Sequence, residues 1–154
     1  MIDVSTKKHG TGFMAKMLAG FGGAHQFNVT LAKNHDNGEL ILRGNWNSID
    51  NYDEDVAGTI TFAGVIREAA AEGGYYVEAT ADTDALFVYN TPINPYAEKE
   101  FNDPALYFNE AGSVVRAAQI KKGDIMTISE NLFSGKVVPG KAVSFADGKY
   151  VVAK

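Results

Sequence analysis

A chain of 154 residues, 45% hydrophobic and 21% charged, carries enough apolar material for one core, or two very small ones, without staples. A formal net charge of -5 argues against a free-standing nucleic-acid binder, because phosphate contacts need a basic face. The absence of cysteine removes disulfides, thiolate chemistry and cysteine-built zinc sites, and no run approaches the ~20 apolar residues of a membrane span.

Residues 1–26 differ from the rest. They hold Gly10, Gly12, Gly20, Gly22 and Gly23, together with Lys7, Lys8 and Lys16. The apolar run from Phe13 to Phe21 is broken by Lys16 and Gly20, which does not fit the clean core of a secretory leader. Folding in the cytosol is therefore expected. Phe13, Met14, Met17, Leu18 and Phe21 recur at near-helical spacing. This segment reads as a flexible N-terminal arm, either an amphipathic turn that docks on a partner or a loosely packed first helix. The candidate contact residues are Lys7, Lys8, Phe13, Met14, Lys16, Met17, Leu18 and Phe21.

From Phe27 the period becomes two. Phe27, Val29 and Leu31 alternate with polar residues, Asp36-Asn37-Gly38 supplies a turn, and Leu40-Ile41-Leu42 follows. The pattern predicts a β-hairpin over residues 27–43. Residues 44–57, acidic around Tyr52, read as a loop. Thr59 to Ile66 predicts a strand. Arg67 to Glu72 favours helix by composition but stops at Gly73-Gly74, giving one helical turn or a wide hairpin loop. Strands are expected from Tyr75 and over Leu86 to Tyr89, with a turn at Asp82-Thr83-Asp84. Pro92 and Pro95 end regular pairing.

The last third alternates strands and glycine turns. Strands are expected over Val114 to Ile120, Ile125 to Ile128, Ala142 to Phe145 and Tyr150 to Val152, with a hairpin turn at Asp147-Gly148 and a loop over Asn131 to Gly135. The fold class is mainly β, a small barrel or sandwich of short antiparallel strands. The expected organisation is an arm over 1–26, a β-rich lobe over 27–90, a connecting loop over 91–104 and a small barrel-like lobe over 105–154, or a single domain over 27–154.

Catalytic patterns are missing. His9, His25 and His35 lie in no recognisable motif, so no catalytic residue is assigned. Gly20-Phe21-Gly22-Gly23 lacks the lysine and the strand-to-helix context of a phosphate cradle. Asp50, Asp53, Glu54 and Asp55 invite a calcium reading, yet the EF-hand spacing is not met; a solvated acidic loop is the plainer reading. No metal and no cofactor is expected. Trp46 and the tyrosines, Tyr75, Tyr76, Tyr89, Tyr96 and Tyr107 among them, suit a binding surface as well as ordinary strands.

Leu106-Tyr107-Phe108-Asn109-Glu110-Ala111-Gly112, Val115-Arg116-Ala117, Lys122-Gly123-Asp124 through Ser129, Val138-Pro139-Gly140-Lys141-Ala142-Val143 and Asp147-Gly148-Lys149-Tyr150-Val151-Val152 resemble small proteins encoded among the head genes of tailed double-stranded DNA bacteriophages. Asn28-Val29-Thr30-Leu31 and Asp36-Asn37-Gly38 fit the same picture. The pattern is similar to head decoration (capsid cement) and head-fibre-base proteins, and covers the last third of the chain plus one hairpin. The resemblance implies a non-enzymatic structural protein of the virion that binds the outer face of a major capsid protein lattice. A trimer of the chain is a further implication. No nucleic acid or membrane is an expected partner. The alternatives are a tail or fibre-anchoring virion protein and a small carbohydrate- or ligand-binding β-module.

Overall fold

The computed structural model describes residues 9–16, 26–48, 51–71, 73–89 and 108–154. The strands are β1 (Gly12–Lys16), β2 (Gln26–Thr30), β3 (Leu40–Ile41), β4 (Arg43–Ser48), β5 (Asn51–Glu54), β6 (Gly64–Ala69), β7 (Tyr75–Ala79), β8 (Leu86–Tyr89), β9 (Val114–Gln119), β10 (Ile125–Ile128), β11 (Phe133–Ser134), β12 (Ala142–Ala146) and β13 (Lys149–Val152). One short 3-10 turn, Glu130–Leu132, precedes β11. They form a seven-stranded sheet in the order β1-β10-β7-β6-β12-β13-β11 and a six-stranded sheet in the order β3-β8-β9-β2-β5-β4. The protein is mainly β, as its alternating pattern requires, although β2–β5 and β11–β13 pair in parallel.

The main core lies between the sheets. Leu40, Phe87, Ala118 and Ile120 from the six-stranded side meet Ile66, Val77, Met126, Ile128, Val143 and Val152 from the other. Tyr150, fully buried, is ringed by Phe62, Phe133 and Phe145 at centroid distances of 5.7, 5.9 and 5.0 Å. Its hydroxyl donates to the Gly38 carbonyl at 2.6 Å, which satisfies the one polar atom that this aromatic cluster buries. A second cluster, with Val29, Leu31, Ile41, Leu86, Val88, Val115 and Ala117, occupies the other face of the six-stranded sheet. Strand β8 therefore buries both faces and reads as a continuous apolar run, while β9 and β2 keep polar residues such as Arg116 and Asn28 on the less buried face.

Several expectations need correction. Residues 27–43 are not a hairpin. The turn at Gly38 is real, with φ of 96°, but β2 pairs with β9 and β5 while β3 pairs with β8. Strand β2 lies in the sheet interior between β9 and β5, and residues 31–39 cross over instead of folding back. Residues 44–57 are not simply a loop, since β4 and β5 form a hairpin at the sheet edge. Arg67 to Ala69 continue β6, and Gly73 and Gly74, both at positive φ, turn the chain into β7. Pairing with β7 overrides the helical preference of this segment. Residues Thr59 to Ala63 lie before β6 and outside any strand. The turn at Asp147-Gly148 is present, with φ of 52° and 76°, the mirror-image turn that a tight hairpin takes.

Both sheets cross the boundary placed at residues 91–104. Strand β10 pairs with β7, β12 with β6, and β9 lies between β8 and β2. The described residues of the arm are not helical either. Gly12 to Lys16 form edge strand β1, antiparallel to β10, with Met14 packed against the core and Phe13 turned outward. Ser129 closes this end: its backbone N–H donates to the Thr11 carbonyl at 2.8 Å, and its hydroxyl accepts from the Thr11 N–H at 2.7 Å. The sheet curls here, so that Leu132, just before β11, packs over Gly10 near the opposite edge strand.

The curl depends on backbone contact. A Cβ placed on Gly12 would sit 2.3 Å from Gly38 Cα and 2.9 Å from Phe87 Cζ. Gly12→Val must push β1 away from the crossover, and is expected to lower the unfolding free energy by about 1–3 kcal/mol. Urea unfolding followed by circular dichroism checks this; an unchanged midpoint would contradict the packing described.

Candidate functional site

The crossover of residues 31–39 gathers the ionisable groups of the structure. His35 is 5% exposed and lies between two carboxylates. Its Nε2 is 2.6 Å from Glu54 Oε2. Its Nδ1 is 3.5 Å from Glu39 Oε1, an ion-pair distance longer than a hydrogen bond. Burial alone would depress the imidazole, but the neighbouring carboxylates of Glu39 and Glu54 outweigh it and raise the pKa to about 9. For Glu54, burial pushes upward, while bonding to His35 and to the Ala32 N–H wins and lowers its pKa. The pair is an imidazolium held by carboxylates.

The backbone fixes this geometry. His35 and Asn109 exchange main-chain hydrogen bonds of 2.9 and 2.8 Å. The Asn109 amide also donates to the His35 carbonyl and to Asn37 Oδ1, at 3.1 and 3.0 Å. Glu54 Oε1 accepts from the Ala32 N–H at 3.0 Å, and Glu39 accepts from the Asp36 N–H. Nearly every oxygen in the cluster is committed to holding the loop.

Beside it opens a cleft of about 820 Å³ lined by His9, Asp36, Glu39, Phe108, Asn131 and Lys149, among others. His9 Nδ1 lies 2.8 Å from Asp36 Oδ1, and the His9 ring stacks on Phe108 at 4.7 Å. A histidine held by an aspartate is two thirds of a hydrolytic triad, but among the described residues lining this cleft there is no serine, threonine or cysteine. Asp36 also accepts the Gly10 N–H at 2.7 Å, so the dyad anchors the start of β1 to the crossover.

A second cleft, of about 710 Å³, opens beside Phe27, Arg43, Asp55, Thr61, Asp84 and Lys121. The described residues lining it include threonines but no histidine. At its rim the Arg43 guanidinium lies 4.5 Å from the Phe27 ring centroid and 4.7 Å from that of Tyr52, and these two rings meet edge to face at 5.8 Å. Trp46 stands opposite Tyr52 in the β4–β5 ladder and is 64% exposed.

Of the arm residues singled out from sequence, Phe13, Met14 and Lys16 fall on β1, with Phe13 and Lys16 exposed and Met14 half-buried. Lys7, Lys8, Met17, Leu18 and Phe21 lie outside the described residues, as do His25, Asp50, Tyr96 and Tyr107. The acidic cluster does not converge. Asp53 accepts from Asn47 at 2.5 Å, Glu54 is buried with His35, and Asp55 caps its own turn through the Ala57 and Gly58 N–H groups at 3.0 and 3.1 Å. Strand alternation sends consecutive carboxylates to opposite faces. Among the described residues no group of three or more His, Asp or Glu is placed to hold a metal. Sequence reading missed the His35 cluster and the Arg43 stack. The His35–Glu39 spacing was a weak local signal, but Glu54 reaches them only through the sheet.

The sign of the pH dependence follows. His35, raised from 6.5 to about 9, adds stability that is fully present below pH 6.5 and lost as pH rises through about 9. The full shift corresponds to about 3 kcal/mol, shared with its carboxylate partners. Glu54, lowered from 4.5, adds stability present above that pH and lost on acidification. The unfolding free energy should therefore fall between pH 6.5 and 9.5 in the native chain, and this slope should be lost in His35→Gln. Urea titrations across that range test it; a flat native profile would refute the buried imidazolium.

The chain matches no family model, no curated protein and no solved structure.

Proposed function

We propose that the chain is a non-enzymatic structural protein of a tailed-phage virion that binds the outer surface of the capsid lattice and reinforces it. The supporting observation is edge strand β1. It carries the described part of the arm at the rim of the seven-stranded sheet, with Phe13 48% exposed and Lys16 beside it in sequence turned to solvent. An exposed edge offers main-chain hydrogen bonds to an extended segment of a partner, with outward side chains setting specificity. Many copies on one lattice make weak single contacts sufficient when the copies are linked. The polar clusters favour the same reading. The His35 and His9 pairs are committed to holding the fold, and neither described cleft joins a histidine to a hydroxyl or thiol.

The resemblance to head decoration proteins names the partner, and its turns fall on real turns here: Lys122-Gly123-Asp124 leads into β10, and Asp147-Gly148 joins β12 to β13. The test is co-sedimentation with mature, undecorated phage heads. A copy lacking residues 1–26 is a poor probe, since it strips β1 from β10; Phe13→Asp leaves the inward face of β1 intact. Saturable sedimentation of the native chain and at least a tenfold loss in Phe13→Asp are expected. No binding to heads by the native chain would overturn the capsid reading, and undiminished binding by Phe13→Asp would overturn the assignment to β1.

A further inference from the structure

We propose that the face formed by Trp46, Tyr52 and Arg43, together with the adjoining cleft, is a binding site for a neutral oligosaccharide. This inference does not rest on the capsid reading, and it concerns the other sheet. The site is continuous. Trp46 and Tyr52 are cross-strand partners and share one face of the β4–β5 hairpin. Arg43 lies over Tyr52 and Phe27, and both Arg43 and Phe27 line the cleft. A ligand seated on Trp46 thus reaches the cleft past Arg43.

The chemistry selects the ligand class. A pyranose ring presents an apolar face of C–H bonds and a rim of hydroxyls. The indole of Trp46, 64% exposed and opposite Tyr52 in the ladder, offers a flat apolar surface for the former. The cleft offers the latter both donors and acceptors. Arg43, Lys121 and Asp84 line it, and none of the three makes an ion pair among the described residues. The two rings hold the guanidinium in place before any ligand arrives, so little side-chain entropy is lost on binding. Asp55, Asp82 and Asp84 on the cleft wall oppose an anionic ligand, which makes a neutral polyol the better fit than a uronate or a nucleic acid.

The geometry disfavours the other occupant of such a surface, an added strand. Strand β4 is at the sheet edge, but its register with β5 shifts twice, between Arg43 and Trp46 and again between Trp46 and Ser48, whereas β1 shifts against β10 once, at its end between Met14 and Lys16. Irregular edges of this kind resist strand addition. A volume of about 710 Å³ falls within the range of small-ligand sites.

The test titrates the full chain with maltohexaose, cellohexaose, xylohexaose, mannohexaose and chitohexaose at millimolar concentration. It reads the emission of Trp46, the sole tryptophan, and amide shifts by NMR. At least one hexaose should give saturable changes centred on Trp46, Tyr52 and Asp84. Affinity should fall at least tenfold in Trp46→Ala, in Arg43→Gln and in Asp84→Ala, with circular dichroism confirming the fold, and remain native in Phe13→Asp. The proposal is overturned if none of the five perturbs these signals, if the cleft variants bind as the native chain does, or if polygalacturonate alone binds.

Discussion

The buried imidazolium of His35 is the contact on which the arrangement of the two sheets depends. Two charges taken out of water are costly, and their attraction compensates only when the geometry is good and the remaining polar atoms are satisfied. Here Glu54 supplies the geometry, with one oxygen on His35 and the other on the Ala32 N–H, while His35 Nδ1 has only the longer ion-pair contact with Glu39 at 3.5 Å. Glu54 ends β5 in the six-stranded sheet, and the crossover it holds carries Gly38, whose carbonyl receives the Tyr150 hydroxyl from the seven-stranded sheet. A single ion pair thus sets where the crossover runs and, through it, how the sheets register across the core. Replacing one partner alone would leave an uncompensated buried charge, the most damaging change available at this point.

The arm depends on the same crossover. Asp36 takes His9 and the Gly10 N–H, and Gly38 gives Gly12 the room to pass. The first described strand therefore docks on a loop already stiffened by His35, Asn109 and Glu39. This explains why a glycine-rich start forms an ordered edge: the glycines supply close approach at Leu132, Gly38 and Phe87, and entropy is offset by the β10 ladder and the half-buried Met14. The two proposed binding surfaces occupy different sheets, β1 at one edge and β4–β5 at another, so one contact with a lattice leaves the aromatic face free.

Where burial is one-sided, the elements were legible in the sequence. Strand β12 alternates Val143 and Phe145 inward with Ala142, Ser144 and Ala146 outward, and Asp147-Gly148 can only turn. Where the period was ambiguous, reading failed. Phe13, Met14 and Met17 fit a helical spacing, yet β1 takes its partner from residues more than a hundred positions away, and no local pattern carries that information. The supposed hairpin at 27–43 failed for a related reason: Asp36-Asn37-Gly38 announces a turn but not which strands it joins, and β2 takes its partners from β9 and β5. The His35 site was illegible because the Glu54 that completes it looked like one more acid in a polar loop. Its burial follows only from β5 pairing in parallel with β2, a long-range contact.

The account stands or falls on the charge of His35. Nitrogen-15 NMR of the imidazole reads both ring nitrogens directly as pH is varied. Two protonated nitrogens at pH 7.5, titrating only near pH 9, are what the structure requires. A neutral ring at pH 7.5, with a midpoint near the ordinary histidine value, would contradict the placement of Glu39 and Glu54 around it and with it the crossover that joins the sheets.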